Sequence, residues 1–255
     1  MNPEQHVFLS DVHLGAFSQA TNQHIEDDLI ALIHHCARHK IALYVLGDLF
    51  DYWMEYPDQN YVPSLGKNVL DAFEEYNKSV APALYVTGNH DNWTFGHFKD
   101  RGFDVEPNFR LLELEDKRML LMHGDGVASS RIDFPRAGFH KLLRSRYFVD
   151  VYQKVFPPQT GVKLMKWFSS MTRKRNYINP KPLNRQAEKM FNRHQLDYIL
   201  SGHDHIPRKE TFGSGEYINL GTFFNHRSLA LYNNSGMQLV RWEAGSQKFT
   251  TFTGN

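Results

Sequence analysis

Five short apolar runs in this chain each end in a cluster of Asp, Asn or His. HVFLS from His6 leads into Asp11-Val12-His13, and LYVL from Leu43 into Gly47-Asp48. LYVT from Leu84 leads into Gly88-Asn89-His90-Asp91, MLLM from Met119 into His123-Gly124-Asp125, and the run from Tyr198 into Gly202-His203-Asp204-His205. Apolar runs of this length, bounded by Gly and polar residues, read as buried strands. Open α/β sheets gather ligands at the carboxyl ends of their strands. The pattern therefore predicts a layered α/β fold whose strand ends converge on one polar site.

The intervening segments agree. Ile25, Leu29, Ile33 and Cys36 share one helical face, with Thr21 or Asn22 as cap, Glu26, Asp27 and Asp28 in the first turn and Arg38, His39 and Lys40 in the last. Those charges suit the helix dipole. Residues 65–80 read as a second helix. Alternation of strand and helix implies parallel pairing. After Asp125 the pattern changes. Phe139, Leu143, Tyr147, Val151 and Val155 recur every four residues until Pro157 and Pro158 stop the helix. A second helix follows around Val162, Met165 and Ser169, and a third from about Asn184 to His194. The runs at 198–201, 217–220, 228–232 and 238–242 read as closing strands and suggest a second sheet. The expected organisation is a single domain, 1–255, with a helical cap inserted at 126–195.

That insertion carries most of the charge asymmetry. It holds fifteen Lys and Arg against three Asp and Glu, a net +12, which leaves −11 for the rest of a chain whose formal net charge is +1. A basic block in an acidic body suggests an anionic partner. No stretch approaches the roughly 20 apolar residues that span a bilayer. The lone Cys36 excludes a disulfide scaffold and a Cys-rich zinc module. With no signal-like apolar segment at the start, the expectation is a cytoplasmic protein.

Taken singly, Asp-x-His or Gly-Asp after a strand is ordinary turn chemistry, and a lone His is more often a core or surface residue. Eight further histidines, at 24, 34, 35, 39, 97, 140, 194 and 226, are read that way. Taken together, Asp11, His13, Asp48, Asn89, His123, His203 and His205 offer seven nitrogen and oxygen donors, too many for one tetrahedral ion. Shared between two cations with one bridging carboxylate, they form a two-metal site that can activate water and clamp phosphoryl oxygens. Mixed imidazole and oxygen donors without thiolate point to two divalent ions, manganese first, with Fe, Mg or Zn as the other candidates.

The blocks DVH, GD, GNHD, HGD and GHDH resemble those of the calcineurin-like metallophosphoesterases, over essentially the whole chain outside the insertion. The resemblance implies a four-layer α/β/β/α sandwich. It implies one ion on Asp11, His13, Asp48 and His205, and a second on Asp48, Asn89, His123 and His203. It also implies a catalytic role for His90 at the substrate phosphate, with Asp91 orienting it through a carboxylate–imidazole hydrogen bond.

Within that superfamily, Leu46-Gly47-Asp48-Leu49-Phe50-Asp51-Tyr52-Trp53 is similar to the LGDLFE-x-W stretch of the UDP-2,3-diacylglucosamine diphosphatases of lipid A synthesis. The helices inserted directly after the fourth block are similar too. The implied reaction splits a lipid-linked nucleotide into UMP and 2,3-diacylglucosamine 1-phosphate. An insertion that is both basic and apolar suits such a substrate, and it suits peripheral docking on the cytoplasmic face of the inner membrane. Arg173, Arg175, Asn176, Lys181 and Arg185 are the candidate substrate-binding residues. His90 stands where most members of that family have Arg, and GHDH where GHTH is common; Asp204 should face away from the metals. The alternatives are a metallophosphoesterase for another nucleotide, phosphoprotein or lipid, and a nuclease or nucleic-acid binder using the basic segment, although no nucleic-acid partner is expected. The oligomeric state is not readable.

Overall fold

A computed structural model describes residues 3–126, 134, 136–173 and 179–253; the side chains of 139 and 168–173 lie outside the description. The first sheet is built on β1 (His6–Leu9), β2 (Ala42–Leu46) and β3 (Leu84–Val86), paired in parallel, with β4 (Asp104–Glu106) at one edge. The second contains β5 (Phe109–Leu114), β6 (Lys117–Met122), β7 (Tyr198–Ser201), β8 (Arg208–Phe212) and β9 (Gly215–Asn219), in the order β5-β6-β7-β9-β8. Only part of the expected closing run belongs to that sheet. β10 (Ser228–Asn233), β11 (Gly236–Glu243) and β12 (Lys248–Thr251) return to the first sheet, where β10 pairs antiparallel with β1.

The strands read as unbroken apolar runs because both of their faces are covered. Val7 and Leu9 of β1 face the helices α1 (Gln19–His39) and α2 (Lys67–Ser79), whereas Phe8 faces the other sheet. Leu46, Leu84 and Val86 meet Met119, Leu121, Leu200 and Ile218 between the sheets. On the far side, Leu120, Met122 and Ile199 pack against Leu183, Ala187 and Met190 of α7 (Lys181–Arg193). The layers are therefore α/β/β/α. α1 begins earlier than expected: Ser18 is its cap and accepts from the Thr21 amide, which places Glu26, Asp27 and Asp28 beyond the first turn.

Between β6 and β7 the chain forms α4 (Gly138–Leu143), α5 (Arg146–Val155), α6 (Pro158–Arg173) and α7. The single apolar face expected over 139–155 is broken at Arg144–Ser145, and the helical phase resets there. Leu143 is buried, but Tyr147, Val151 and Val155 are 81 %, 44 % and 61 % exposed. α5 instead buries Val149 and Tyr152 against Tyr52, Met54, Tyr56 and Trp93, in the loops that follow β2 and β3. Trp93 Nε1 donates to the Leu143 carbonyl at 2.8 Å and Gln153 to the Glu55 carbonyl at 2.7 Å, which ties the helices down. Short α3 (His97–Asp100) and α8 (Phe223–His226) and a single 3-10 turn at Pro57–Gln59 complete the described elements.

Candidate metal centre

The C-terminal ends of β1, β2, β3, β6 and β7 meet where the two sheets come together, and their seven donors converge there. Asp11, His13, Asp48, His203 and His205 all have φ between 49° and 74°. Non-glycine residues rarely occupy this left-handed region, and such clustering is typical of functional sites. Glycines permit the close approach: a Cβ on Gly88 would lie 2.0 Å from Asp48 Oδ1, and one on Gly202 2.1 Å from Asp11 Oδ2.

Each buried carboxylate has one oxygen held by the protein and the other turned inward. Asp11 Oδ2 accepts from the Ser10 hydroxyl at 2.6 Å and the His203 amide at 3.0 Å. Its Oδ1 lies 3.1 Å from His205 Nε2 and 3.5 Å from His13 Nε2, yet receives no hydrogen bond. Asp48 Oδ1 accepts from the His90 amide at 3.0 Å, and Oδ2 sits between His123 Nε2 at 3.3 Å and His13 Nε2 at 3.7 Å. On the other side, Asn89 Oδ1 is 3.0 Å from both His123 Nε2 and His203 Nδ1, which are 3.3 Å apart. His123 Nδ1 donates to the Leu46 carbonyl at 2.9 Å, so Nε2 is the ring nitrogen turned toward Asp48 and Asn89. Lone pairs facing one another at these distances, around a buried carboxylate oxygen with no donor, suit divalent cations. Asp11-His13-His205, His13-Asp48-His90 and Asp11-Asp48-His123 are geometrically feasible ligand groups among the described residues, and Asp11, His13 and Asp48 each belong to two of them. The donor set fits divalent metals.

Burial opposes charge here, and opposite charges restore it. Burial raises the Asp11 and Asp48 carboxyls, but neighbouring imidazoles hold both well below the usual carboxylate range. His123 loses solvation, yet Asp48 pushes it up to about 10. His203, desolvated and beside His123, falls to about 4. Asp91, buried and facing Asp48, rises to about 6.

The expected hydrogen bond between the Asp91 carboxylate and the His90 ring is not formed. Asp91 accepts from the Leu49 amide at 2.8 Å, the Gly88 amide at 2.7 Å and the Tyr85 hydroxyl, so it braces the two ligand loops. His90 is oriented instead through Nδ1, 2.6 Å from the Asp51 carbonyl oxygen. Asp204 turns away from the centre and pairs with Arg208, at 2.7 Å and 3.0 Å.

Beside His13, His203 and His205 opens a cavity of about 900 Å³, and Lys181 and Arg185 line it. The Arg173 side chain, Arg175 and Asn176 lie outside the described residues. His140, set aside in the sequence reading, also lines the cavity and lies 3.6 Å from Asp125. Arg144 carried no sequence signal. It donates to the Thr87, Gly88 and Pro107 carbonyls at 3.0, 2.8 and 2.7 Å and pairs with Asp125 at 3.1 Å. One guanidinium thus joins α4 to the loops that carry Asn89 and His123.

Comparison with known proteins finds relatives over most of the chain. The chain is similar to the UDP-2,3-diacylglucosamine hydrolase of Proteus mirabilis, 24 % identical over 245 residues that cover 92 % of this chain and 98 % of the relative. It is also similar to that of Photorhabdus laumondii, 27 % identical over 210 residues covering 79 % and 82 %. The solved structure of the Escherichia coli phosphoesterase Yfce aligns with a TM-score of 0.47 at 16 % identity, covering 97 % of each chain. The calcineurin-like phosphoesterase model matches residues 6–207, which hold every one of the converging donors. A match of that extent means that the chain belongs to the calcineurin-like phosphoesterase family, and that it is a hydrolase.

Proposed function

We propose that this hydrolase cleaves the pyrophosphate of UDP-2,3-diacylglucosamine, giving UMP and 2,3-diacylglucosamine 1-phosphate for lipid A biosynthesis. The observation that carries this reading is a site rich in metal donors beside a basic cavity, in a chain whose relatives bear that hydrolase's name over most of their length. Asp11, His13, Asp48 and His205 would hold one divalent ion, and Asp48, Asn89, His123 and His203 the other, with manganese the preferred metal. When bound, such a pair supplies charge neutralisation at phosphoryl oxygens and a water of lowered pKa.

The chain's own groups do the rest. Lys181 and Arg185 neutralise substrate phosphates from the cavity wall. His90, with Nδ1 committed to the Asp51 carbonyl, offers Nε2 to the scissile phosphate. A departing phosphate monoester has a second pKa of about 6, so it leaves without needing that proton. The same Nε2 would serve an alkoxide leaving group as general acid, which supports hydrolysis of a phosphodiester as the second reading.

The helices of 126–195 act as the cap of a single domain, and their outer face suits a membrane. Tyr147, Val151 and Val155 form an exposed apolar stripe on α5, next to Arg146 and Lys154. No helix among the described residues is long and apolar enough to cross a bilayer. Docking would therefore be peripheral, on the cytoplasmic face of the inner membrane, where each surface cation contributes roughly 1 kcal/mol against anionic lipid. Release of UMP from the lipid substrate, dependent on added Mn²⁺, tests the reaction; release of inorganic phosphate from soluble monoesters alone would overturn it. Failure to sediment with anionic vesicles at low salt would overturn the docking.

A further inference from the structure

Two aromatic rings stand at the edge of the metal centre with no part in holding it. Phe224, on α8, meets His13 and His205 edge-on, with ring centroids 5.8 Å away in each case. Phe17, in the loop before α1, lies against Phe224 at 4.9 Å and is 36 % exposed. Both rings line the large cavity. The Phe17 loop is built rather than loose: Asn22 donates to the Phe17 carbonyl at 2.7 Å and accepts from the Gly15 amide at 2.9 Å. A fixed backbone thus holds a large apolar ring partly in water, beside a polar site.

α7 contributes another wall of this cavity. Lys181, Arg185 and Lys189 recur every four residues along one helical face, and all three line the cavity. The opposite face of α7 buries Leu183, Ala187 and Met190. Phe134, Ala137 and Leu183 line the same cavity, so its walls combine cations with apolar surface. A nucleotide suits it, because its phosphates meet the cations while the face of its base meets an aromatic ring.

Granted the reading above that the substrate carries a nucleotide, we propose that Phe17, backed by Phe224, is the platform on which the nucleobase stacks. The nucleoside then lies on the His13–His205 side of the centre.

The test measures binding of UMP and of ribose 5-phosphate to the Mn²⁺-loaded protein by calorimetry, with wild type, Phe17→Ala and Phe17→Trp. Wild type should bind UMP about tenfold or more tightly than ribose 5-phosphate. Phe17→Ala should erase that preference and leave ribose 5-phosphate unchanged, and Phe17→Trp should keep it. Equal affinities in wild type, or a preference that survives in Phe17→Ala, would overturn the platform. So would a loss in Phe17→Ala that falls on 2,3-diacylglucosamine 1-phosphate rather than on UMP. Hydrolysis of the lipid pyrophosphate by the same preparations reads the function separately: intact turnover without a UMP preference sinks only the stacking, and a UMP preference without turnover sinks only the lipid reaction.

Discussion

His90 Nδ1 lies 2.6 Å from the carbonyl oxygen of Asp51, five residues beyond the end of β2. A ring nitrogen that donates to a carbonyl fixes the tautomer, so Nε2 is the atom that can exchange a proton with substrate. His90→Arg should therefore retain pyrophosphate hydrolysis within about tenfold, because a hydrogen-bond donor of sufficient reach still meets the phosphate. On a phosphodiester with an alkoxide leaving group, the same variant should lose about 10²- to 10⁴-fold, the usual range for a general acid. Parallel kcat measurements on the two substrates check this; equal losses on both would remove the proton-transfer role.

Asp48 Oδ2 faces imidazoles of both half-sites. Asp48→Ala should therefore abolish binding of both ions, whereas Asn89→Ala should weaken one. Activity should fall by orders of magnitude in each. Metal stoichiometry by elemental analysis distinguishes them, and two retained ions in Asp48→Ala would refute the bridging position.

Arg144 is largely buried and donates to three carbonyls as well as to Asp125. Arg144→Leu should cost about 3 kcal/mol, because buried acceptors and a buried carboxylate lose a charged donor. Denaturant unfolding measures that loss. Turnover should drop further than global stability explains, since the Asn89 and His123 loops lose their shared tie.

Gly88 has no room for a side chain, and a Cβ there would meet the Asp48 carboxylate. Gly88→Ala should inactivate the enzyme while leaving the far-UV spectrum unchanged.

Cys36 is fully buried in α1, and burial pushes its thiol well above the ordinary value. The folded protein keeps its proton where the unfolded chain begins to lose it. That contribution to stability is complete below pH 8.5 or so and wanes in stronger alkali. Thiol labelling at pH 8 should be negligible in the folded state and should rise with denaturant in step with unfolding.

The site was legible because each donor sits within a few residues of a strand end, where a local pattern of apolar run and polar cluster marks it. Buried strands covered on both faces announced themselves in the same way. Amphipathic strands did not: β5 and β8 alternate half-buried with exposed residues, and Arg110 and Lys209 interrupt them, so their pairing decides what they are. The cap of α1 was misplaced by three or four residues because Thr21 and Asn22 are capping types too; the Thr21 hydroxyl instead bonds Ser18 Oγ at 2.8 Å, and the Asn22 side chain bonds Gly15 and Phe17. Arg144 acts across more than fifty residues of sequence, which no local rule reads. Asp91 was assigned to the nearest imidazole, whereas folding brought the Leu49 amide and the Tyr85 hydroxyl closer.

Sheet membership along the chain runs first, second, then first again, with β10 closing the open side of β1. A nascent chain emerging from the ribosome could pair β1 with β2 early, but the strand bearing Asp11 and His13 would keep a raw edge until nearly everything had been synthesised. Truncation before residue 228 would thus leave all seven donors in the polypeptide and still forfeit the enzyme, with that edge free to recruit another chain.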